Sequence, residues 1–497
     1  MKNIEKCIIL ILISIVFMSC EGFLDEIPIS NETTKSFFNT SEDFEQILNS
    51  SYRSLQGIAD NRIGTTGAYW AMSEMRSDNT TFQYNTTDQS GHRFWSLNNF
   101  TLSAQDEITH NIWTSSYDGI GKCNNLIQYS EGVEYENKDR YIAEAKFLRG
   151  LYYAYLVRYF GDVPLVTKSA GAYEEAFENN KRVPKEQVYE QIFKDLNEAK
   201  NVLPATYSSD NAGRATSGAA RLLLAKEYMW NGMYGEAKME LEAIVNSPEN
   251  PYKLLDSYAE VFEGGIPNTK EIVFSVQFIA GTYDLHSTFM YCFLPWNSET
   301  ELLPLGQITA RTGMNIPTTD LINSFEKGDE RLSMIDTSYI DHGFATYHDS
   351  IVPYTKKYHD AGHAVQTQTG TNFPLFRYPH VLLMLAECYV REGGGDADEL
   401  VNEVRRRAGL SPMQNVTLDD IIHERRIEFH CEADRWDVLV RTGQAEEVMK
   451  AHGVREKALR PGAVIPENAF TKIKLLYPIP SFVLQTDATM EQNSEYK

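Results

Sequence analysis

Positive charge is the first thing this chain has little of. Its 46 Lys and Arg stand against 69 Asp and Glu, a formal net charge of −23 over 497 residues, with no basic stripe. Nucleic acid, whose phosphates such a surface repels, is excluded as a partner. Cysteine is scarce too. The six present are Cys7, Cys20, Cys123, Cys292, Cys388 and Cys431, and no two form a C-x-x-C pair. Neither a zinc site nor a dense disulfide framework is supported, so the last four are expected as small core residues and no metal is expected. Long hydrophobic runs are missing beyond the first twenty residues, and nothing later approaches the ~20 residues of a membrane-spanning helix. Two catalytic signatures begin without finishing. His423-Glu424 opens like a zinc-protease helix, but no second histidine follows four residues on and His430 falls at the wrong spacing. Gly393-Gly394-Gly395 lacks the Lys-Ser/Thr that would make it a phosphate loop. No cofactor is implied.

What is present starts at the N-terminus. Lys2 and Lys6 precede an apolar run from Cys7 to Phe17, interrupted only by Ser14, and Met18-Ser19-Cys20 follows. A cationic start, a dozen apolar residues and a small residue before the cut compose a secretory signal, too short to span a bilayer. A cysteine directly after the cut can be acylated, and the segment resembles the lipobox of bacterial lipoproteins, with Phe17 and Met18 departing from its usual Leu and Ala or Ser. Residues 1–19 are therefore expected as a signal peptide and Cys20 as the lipidated residue, tethering an otherwise soluble chain. Loss of Lys2, Lys6 and Glu5 with that segment would move the formal charge from −23 to −24.

Helical periodicity dominates the rest. Residues 41–58 read as a helix capped by Ser41, residues 107–130 as a second with Trp113 in its core face, and residues 139–160 as a third. The third is apolar nearly all round until Gly161-Asp162-Val163-Pro164 stops it, and a helix greasy on every side is buried on every side. Residues 184–203 open with Pro184 and are amphipathic. Residues 214–247 place Leu224, Ala225, Tyr228, Gly232, Tyr234, Ala237 and Leu241 at the small-large spacing of a tetratricopeptide repeat, and Leu385, Ala386, Tyr389, Gly393 and Ala397 repeat it one residue shorter. Between the two copies, residues 250–375 are loop-rich, with Glu271–Ile279 alternating like a strand; such insertions commonly carry binding residues. A last helix is expected over roughly 417–441. On it Glu424 and Glu428 stand four apart, with Glu432 next along the same face, near the carboxyl separation of a retaining glycosidase. The neighbouring Arg425, Arg426 and Arg435 argue for an ion-pair network instead, because cations lower a carboxylate pKa that a general acid needs raised.

Four separated segments carry a family resemblance: Cys20-Glu21-Gly22-Phe23-Leu24-Asp25; Ala145–Thr167; Arg377–Arg407 with Glu424–Arg441; and Leu476–Pro480. With them the chain resembles the SusD/RagB family of nutrient-binding lipoproteins of Bacteroidota outer membranes. The resemblance implies a mainly α fold, a scaffold of four tetratricopeptide-type helix hairpins with a loop-rich ligand-binding insertion. It divides the chain after the signal into an N-terminal part over about 20–245, an irregular insertion over about 250–375 and a C-terminal part over about 376–497. It also implies a cell-surface position on the outer membrane, a SusC-type TonB-dependent transporter as partner, no catalysis, and an oligosaccharide ligand or, as in RagB-like members, a peptide.

Sugar binding asks for flat aromatic faces against the pyranose C–H surface, flanked by polar groups that satisfy hydroxyls. Two regions offer that. Arg76–Asn99 holds Arg76, Asp78, Tyr84, Trp95 and Asn98 in a polar segment without helical period, and Tyr283–Trp296 holds Tyr283, Tyr291 and Trp296 in the insertion. These eight are the candidate ligand contacts, while Trp70, Trp230 and Trp436 are expected to be structural.

Overall fold

Thr40, rather than Ser41, starts the first scaffold helix. Its hydroxyl accepts from the Asp43 N–H while the Asp43 carboxylate accepts from the Thr40 N–H, a reciprocal capping box. Ser41 is thereby inside the helix and its hydroxyl donates to the Glu136 carbonyl at 3.0 Å. The computed structural model describes residues 38–60, 68–83, 91–169, 180–281, 285–295, 313–341, 350–359, 368–459, 465–487 and 489–497. The signal segment and Cys20 lie outside them.

The scaffold runs through α1 (Ser41–Ala59), α2 (His110–Tyr129), α3 (Lys138–Phe160), α4 (Lys185–Lys200), α5 (Ser217–Trp230), α6 (Tyr234–Val245), α7 (Tyr378–Glu392) and α8 (Ala397–Arg407). Each packs on the next, giving four successive hairpins, and α6 on α7 stacks the two repeat copies against each other although the insertion separates them in sequence. Ala225 and Ala237, the small residues of the first copy, are fully buried. The mainly α hairpin scaffold that the family resemblance implies is the one observed.

Helix α3 shows why its sequence has no polar face. Phe147 to Phe160 are buried without a gap, including two arginines. Arg149 spends its charge on a bidentate pair with Asp195 at 2.7 and 2.8 Å, and Arg158 reaches Asp437 at 2.6 Å. Tyr152 and Tyr153 keep their hydroxyls bonded to the carbonyls of Ser51 and Val166. At the end Gly161, with φ +71°, donates its N–H back to Val157 and turns the chain out, as expected. The C-terminal tail closes over this end: Tyr477 N–H donates to the Tyr159 carbonyl, and the Asn493 amide to the carbonyls of Phe160 and Tyr477.

The insertion is clamped where it leaves and rejoins the scaffold. β4 (Ile272–Val276) pairs antiparallel with β10 (Phe373–Arg377). All five residues of β4 are buried, so its apparent alternation does not separate a wet face from a dry one. The other strands are two-residue pairs: β1 (Thr80–Thr81) with β5 (Ile316–Pro317), β2 (Val163–Pro164) with β3 (Arg182–Val183), β6 (Ile335–Asp336) with β9 (Tyr354–Thr355), and β7 (Ile340–Asp341) with β8 (Ser350–Ile351).

The helix expected over 417–441 is two helices. α9 (Leu418–Glu428) and α10 (Arg435–Arg441) are parted by a turn in which Cys431 and Ala433 take φ of +63° and +68°, and α11 (Ala445–Leu459), which the sequence reading lacks, follows. Glu432 therefore sits in the turn and not on a shared helical face. The expected ion-pair network exists, with different partners. Buried Arg377 donates to Glu271 at 2.6 Å, to Glu428 at 2.9 Å and to both oxygens of Glu432; Arg407 joins Glu428 to Glu271; Arg331 bridges Glu424 and Glu428; Lys357 reaches Glu432 at 2.7 Å. The helix neighbours point elsewhere: Arg425 to Asp434, and Arg426 and Arg435 to Asp78. Burial alone would raise the Glu428 carboxyl, but Arg407, Arg377 and Arg331 override it and hold it well below the usual range. Cys123, Cys292, Cys388 and Cys431 are all buried, as expected of small core residues.

Glu428→Gln leaves three buried guanidinium groups short of a carboxylate and is expected to cost about 3–5 kcal/mol, read as a lowered midpoint in urea unfolding. Glu428, Glu432, Asp434 and Asp78 all have carboxyl pKa values depressed in the fold, each by arginine or lysine partners that outweigh burial. Depressed carboxylates contribute stability that is present above the unfolded value near 4 and lost as pH falls through the folded one. Unfolding midpoints measured from about pH 5 down to about pH 3 should fall steeply below about pH 4.

Candidate functional site

Five of the eight candidate ligand residues are in the described structure, and all five are between 0% and 4% exposed. Arg76 is an internal strut: its guanidinium lies 4.1 Å from the Phe100 ring centroid and 4.9 Å from that of Tyr477, and it donates to the carbonyls of Leu97 and Lys474. Asp78 receives Arg435 at 2.8 Å and Arg426 at 2.9 Å. Asn98 donates to the carbonyls of Met75 and Thr80 and accepts from the Thr81 hydroxyl, pinning β1. Trp95 is in the main core on the short helix His92–Asn98, and Tyr291 on the single turn Phe289–Cys292. The segment read as polar and irregular, Arg76–Asn99, follows a π-helical turn, Ala71–Met75, and its described residues include β1 and that helix. Its polar residues satisfy buried backbone, which composition alone does not distinguish from ligand contact. Trp70 and Trp436 are buried, as expected of structural residues. Tyr84, Tyr283 and Trp296 lie outside the described residues.

The described residues beside those three positions are brought together. Gln83 donates its N–H to the Gly313 carbonyl at 2.8 Å and its side-chain amide to Asp341 at 2.5 Å. Gly313 in turn donates to Leu294, and Met314 to Cys292. β7 and β8 hold Asp341 beside Ser350, and Leu294, Ile316, Tyr339, Val352 and Tyr354 form a small apolar cluster under this junction. A second knot adjoins it in sequence: Ser287 and Thr369 exchange backbone bonds at 2.9 and 3.1 Å, Ile279 N–H donates to Leu285, and Gly281 N–H to Gln368. Asp60, at the end of α1, accepts from both the N–H and the hydroxyl of Thr288. Gln83, Leu294, Gly313 and Asp341 in one knot and Leu285 and Gln368 in the other thus form a platform of two knots, adjoining in sequence, built on α1 and the insertion. Backbone pairing over such short strands has no pattern in sequence that could have revealed it.

The same geometry leaves the paired glutamates no catalytic role. Glu424 and Glu428 are buried and saturated by arginine. A general acid needs a raised pKa and access to its substrate, and Glu428 has neither. No group of His, Cys, Asp and Glu among the described residues could hold a metal ion.

A helical-hairpin scaffold carrying a loop platform is one fold shared with solved structures. A laminarin-binding SusD-like protein matches with a TM-score of 0.77 at 25% identity, over 92% of this chain and 100% of that one. In sequence, the family described as "Starch-binding associating with outer membrane" matches residues 22–229 and the "SusD family" matches residues 325–496. SusD-like protein P2 of Formosa agariphila is 27% identical over 496 residues, covering 91% of this chain and 93% of its own length. The starch-binding protein SusD of Bacteroides thetaiotaomicron is 25% identical over 576 residues, covering 100% of this chain and 99% of its own. The chain belongs to the SusD family.

Asp60→Ala removes both acceptors of Thr288 and is expected to cost about 1–3 kcal/mol. Hydrogen exchange at residues 285–294 should quicken while α3 keeps its protection.

Proposed function

We propose that this protein is a non-catalytic glycan-binding lipoprotein of the outer membrane, anchored through Cys20, that captures oligosaccharides and passes them to a SusC-type TonB-dependent transporter. The observation that carries the reading is the platform: two hydrogen-bonded knots on the helical scaffold hold the described residues that flank Tyr84, Tyr283 and Trp296, and binding residues commonly sit on connections carried by such a frame. Relatives named for binding starch and laminarin share the family and the fold. The absence of a usable carboxylate pair at Glu424 and Glu428 fits binding without hydrolysis. Tyr84, Tyr283 and Trp296, which follow or adjoin the platform in sequence, are the proposed stacking residues.

Calorimetry of the full chain against a panel of laminarihexaose, maltoheptaose, other oligosaccharides and peptides tests the ligand class. One glycan should bind with a Kd between about 1 mM and 1 μM, no reducing ends should be released, and Trp296→Ala should weaken binding about tenfold, ~1.4 kcal/mol. Binding of peptides with no binding of any glycan would overturn the carbohydrate reading.

A further inference from the structure

A groove runs along β4, and one end of it meets the platform at Ile279 and Leu285. It has two lobes that share Ala212, Gly213 and Arg214. The first, about 600 Å³, lies between α1 and the end of β4, where Tyr52, Gln56 and Gln277 line it. The second, about 530 Å³, is lined by Tyr207, Thr216, Tyr252, Lys253, Thr269 and Lys270 among others. Gln277 lines the first lobe beside the shared Gly213. Its side chain donates to the Ser275 carbonyl and to Asn268 and packs so closely on Gly213 that a Cβ there would stand 2.6 Å from Gln277 Cδ; Gly213 also has φ +90°.

The walls offer unmet hydrogen-bonding capacity. Gln56 Oε1 and Thr269 Oγ1 are buried atoms without a partner, one in each lobe. Buried polar atoms are normally paired, and these two belong to residues that line the groove. Charge distinguishes the lobes. The first contains Glu45 and Asp210 beside Arg53 and Arg214. The second has no Asp or Glu in its lining, in a chain of net charge −23. Arg214 is already committed to Glu45 at 2.6 Å and Glu144 at 3.2 Å. Lys253 and Lys270, tied together by the Lys253 N–H on the Lys270 carbonyl, are exposed, and neither is held in an ion pair among the described residues.

We propose that this groove is a second carbohydrate site and that its second lobe takes a sugar residue bearing an anionic substituent, a uronate carboxylate or a sulfate ester, on Lys253 and Lys270. Tyr207 and Tyr252 line the same lobe and supply apolar surface, and Thr269 is a neutral polar residue of its wall. The inference rests on the glycan-binding reading above and narrows the ligand at a separate place.

The test is hydrogen-exchange mass spectrometry on the full chain with tetragalacturonate, a sulfated carrageenan tetrasaccharide, maltohexaose or inorganic sulfate. At least one of the two acidic oligosaccharides should slow exchange over residues 250–254 and 268–277, and which one does so identifies the carboxylate or the sulfate ester as the recognised group. Lys253→Ala/Lys270→Ala, a pair of surface changes, should weaken that ligand at least tenfold, and maltohexaose should leave those residues unchanged. Protection by neither acidic glycan, equal protection by inorganic sulfate alone, or unchanged affinity of the double variant would overturn the proposal. Failure of the broader reading looks different: no oligosaccharide would alter exchange anywhere, the platform residues 80–83 and 285–294 included.

Discussion

Arg377 stands where the chain returns from its irregular insertion to its helical scaffold. It is the last residue of β10 and the residue before α7, fully buried, and its guanidinium ties together three carboxylates: Glu271 at the start of β4, Glu428 at the end of α9, and Glu432 in the turn beyond. Guanidinium is suited to this because its planar fork meets several carboxylate oxygens at once, which an ammonium does not. Desolvating so many charges is expensive, and only the closed shell of partners around Arg377, Arg407 and Arg331 makes the arrangement tolerable. The entry strand, the exit strand and the C-terminal helices are thereby fixed relative to one another, and the loop platform is built on what they fix.

That constraint separates the molecule's tasks. The helix hairpins bury a continuous aromatic and aliphatic core, and the paired charges sit inside the joint between scaffold and insertion, where they cannot act on a substrate. Recognition is left to groups outside the joint. Carboxylates whose pKa values are depressed by buried arginine are markers of structure here, a reminder that perturbed titration accompanies ion-pair networks as readily as active sites.

The scaffold was largely legible because its signals are local. Periodicity located α1 to α8, and repeat spacing found α5–α6 and α7–α8 as copies, since the small residues Ala225 and Ala237 are required wherever two helices approach closely. The end of α9 was not legible: residues 417–441 keep an apolar and charged pattern straight through the break, which is imposed by Cys431 and Ala433 adopting left-handed backbone so that Glu432 can reach Arg377 and Lys357. Partners for Glu424 and Glu428 came from residues 19 to 97 positions away, a non-local outcome that spacing on one helix does not predict. Arg76, Asp78 and Asn98, buried and bonded within the fold, show a related limit. A polar side chain that serves buried backbone or a buried arginine has the same letter as one that serves a ligand.

The central claim is that Arg377 couples insertion, scaffold and C-terminal helices as one unit. Native-state hydrogen exchange of Arg377→Lys tests it most directly, because lysine keeps the charge and loses the fork. Protection should fall together at residues 271–277, 373–377 and 424–434 while α2 to α5 stay protected; loss confined to residues 373–377 would contradict the account.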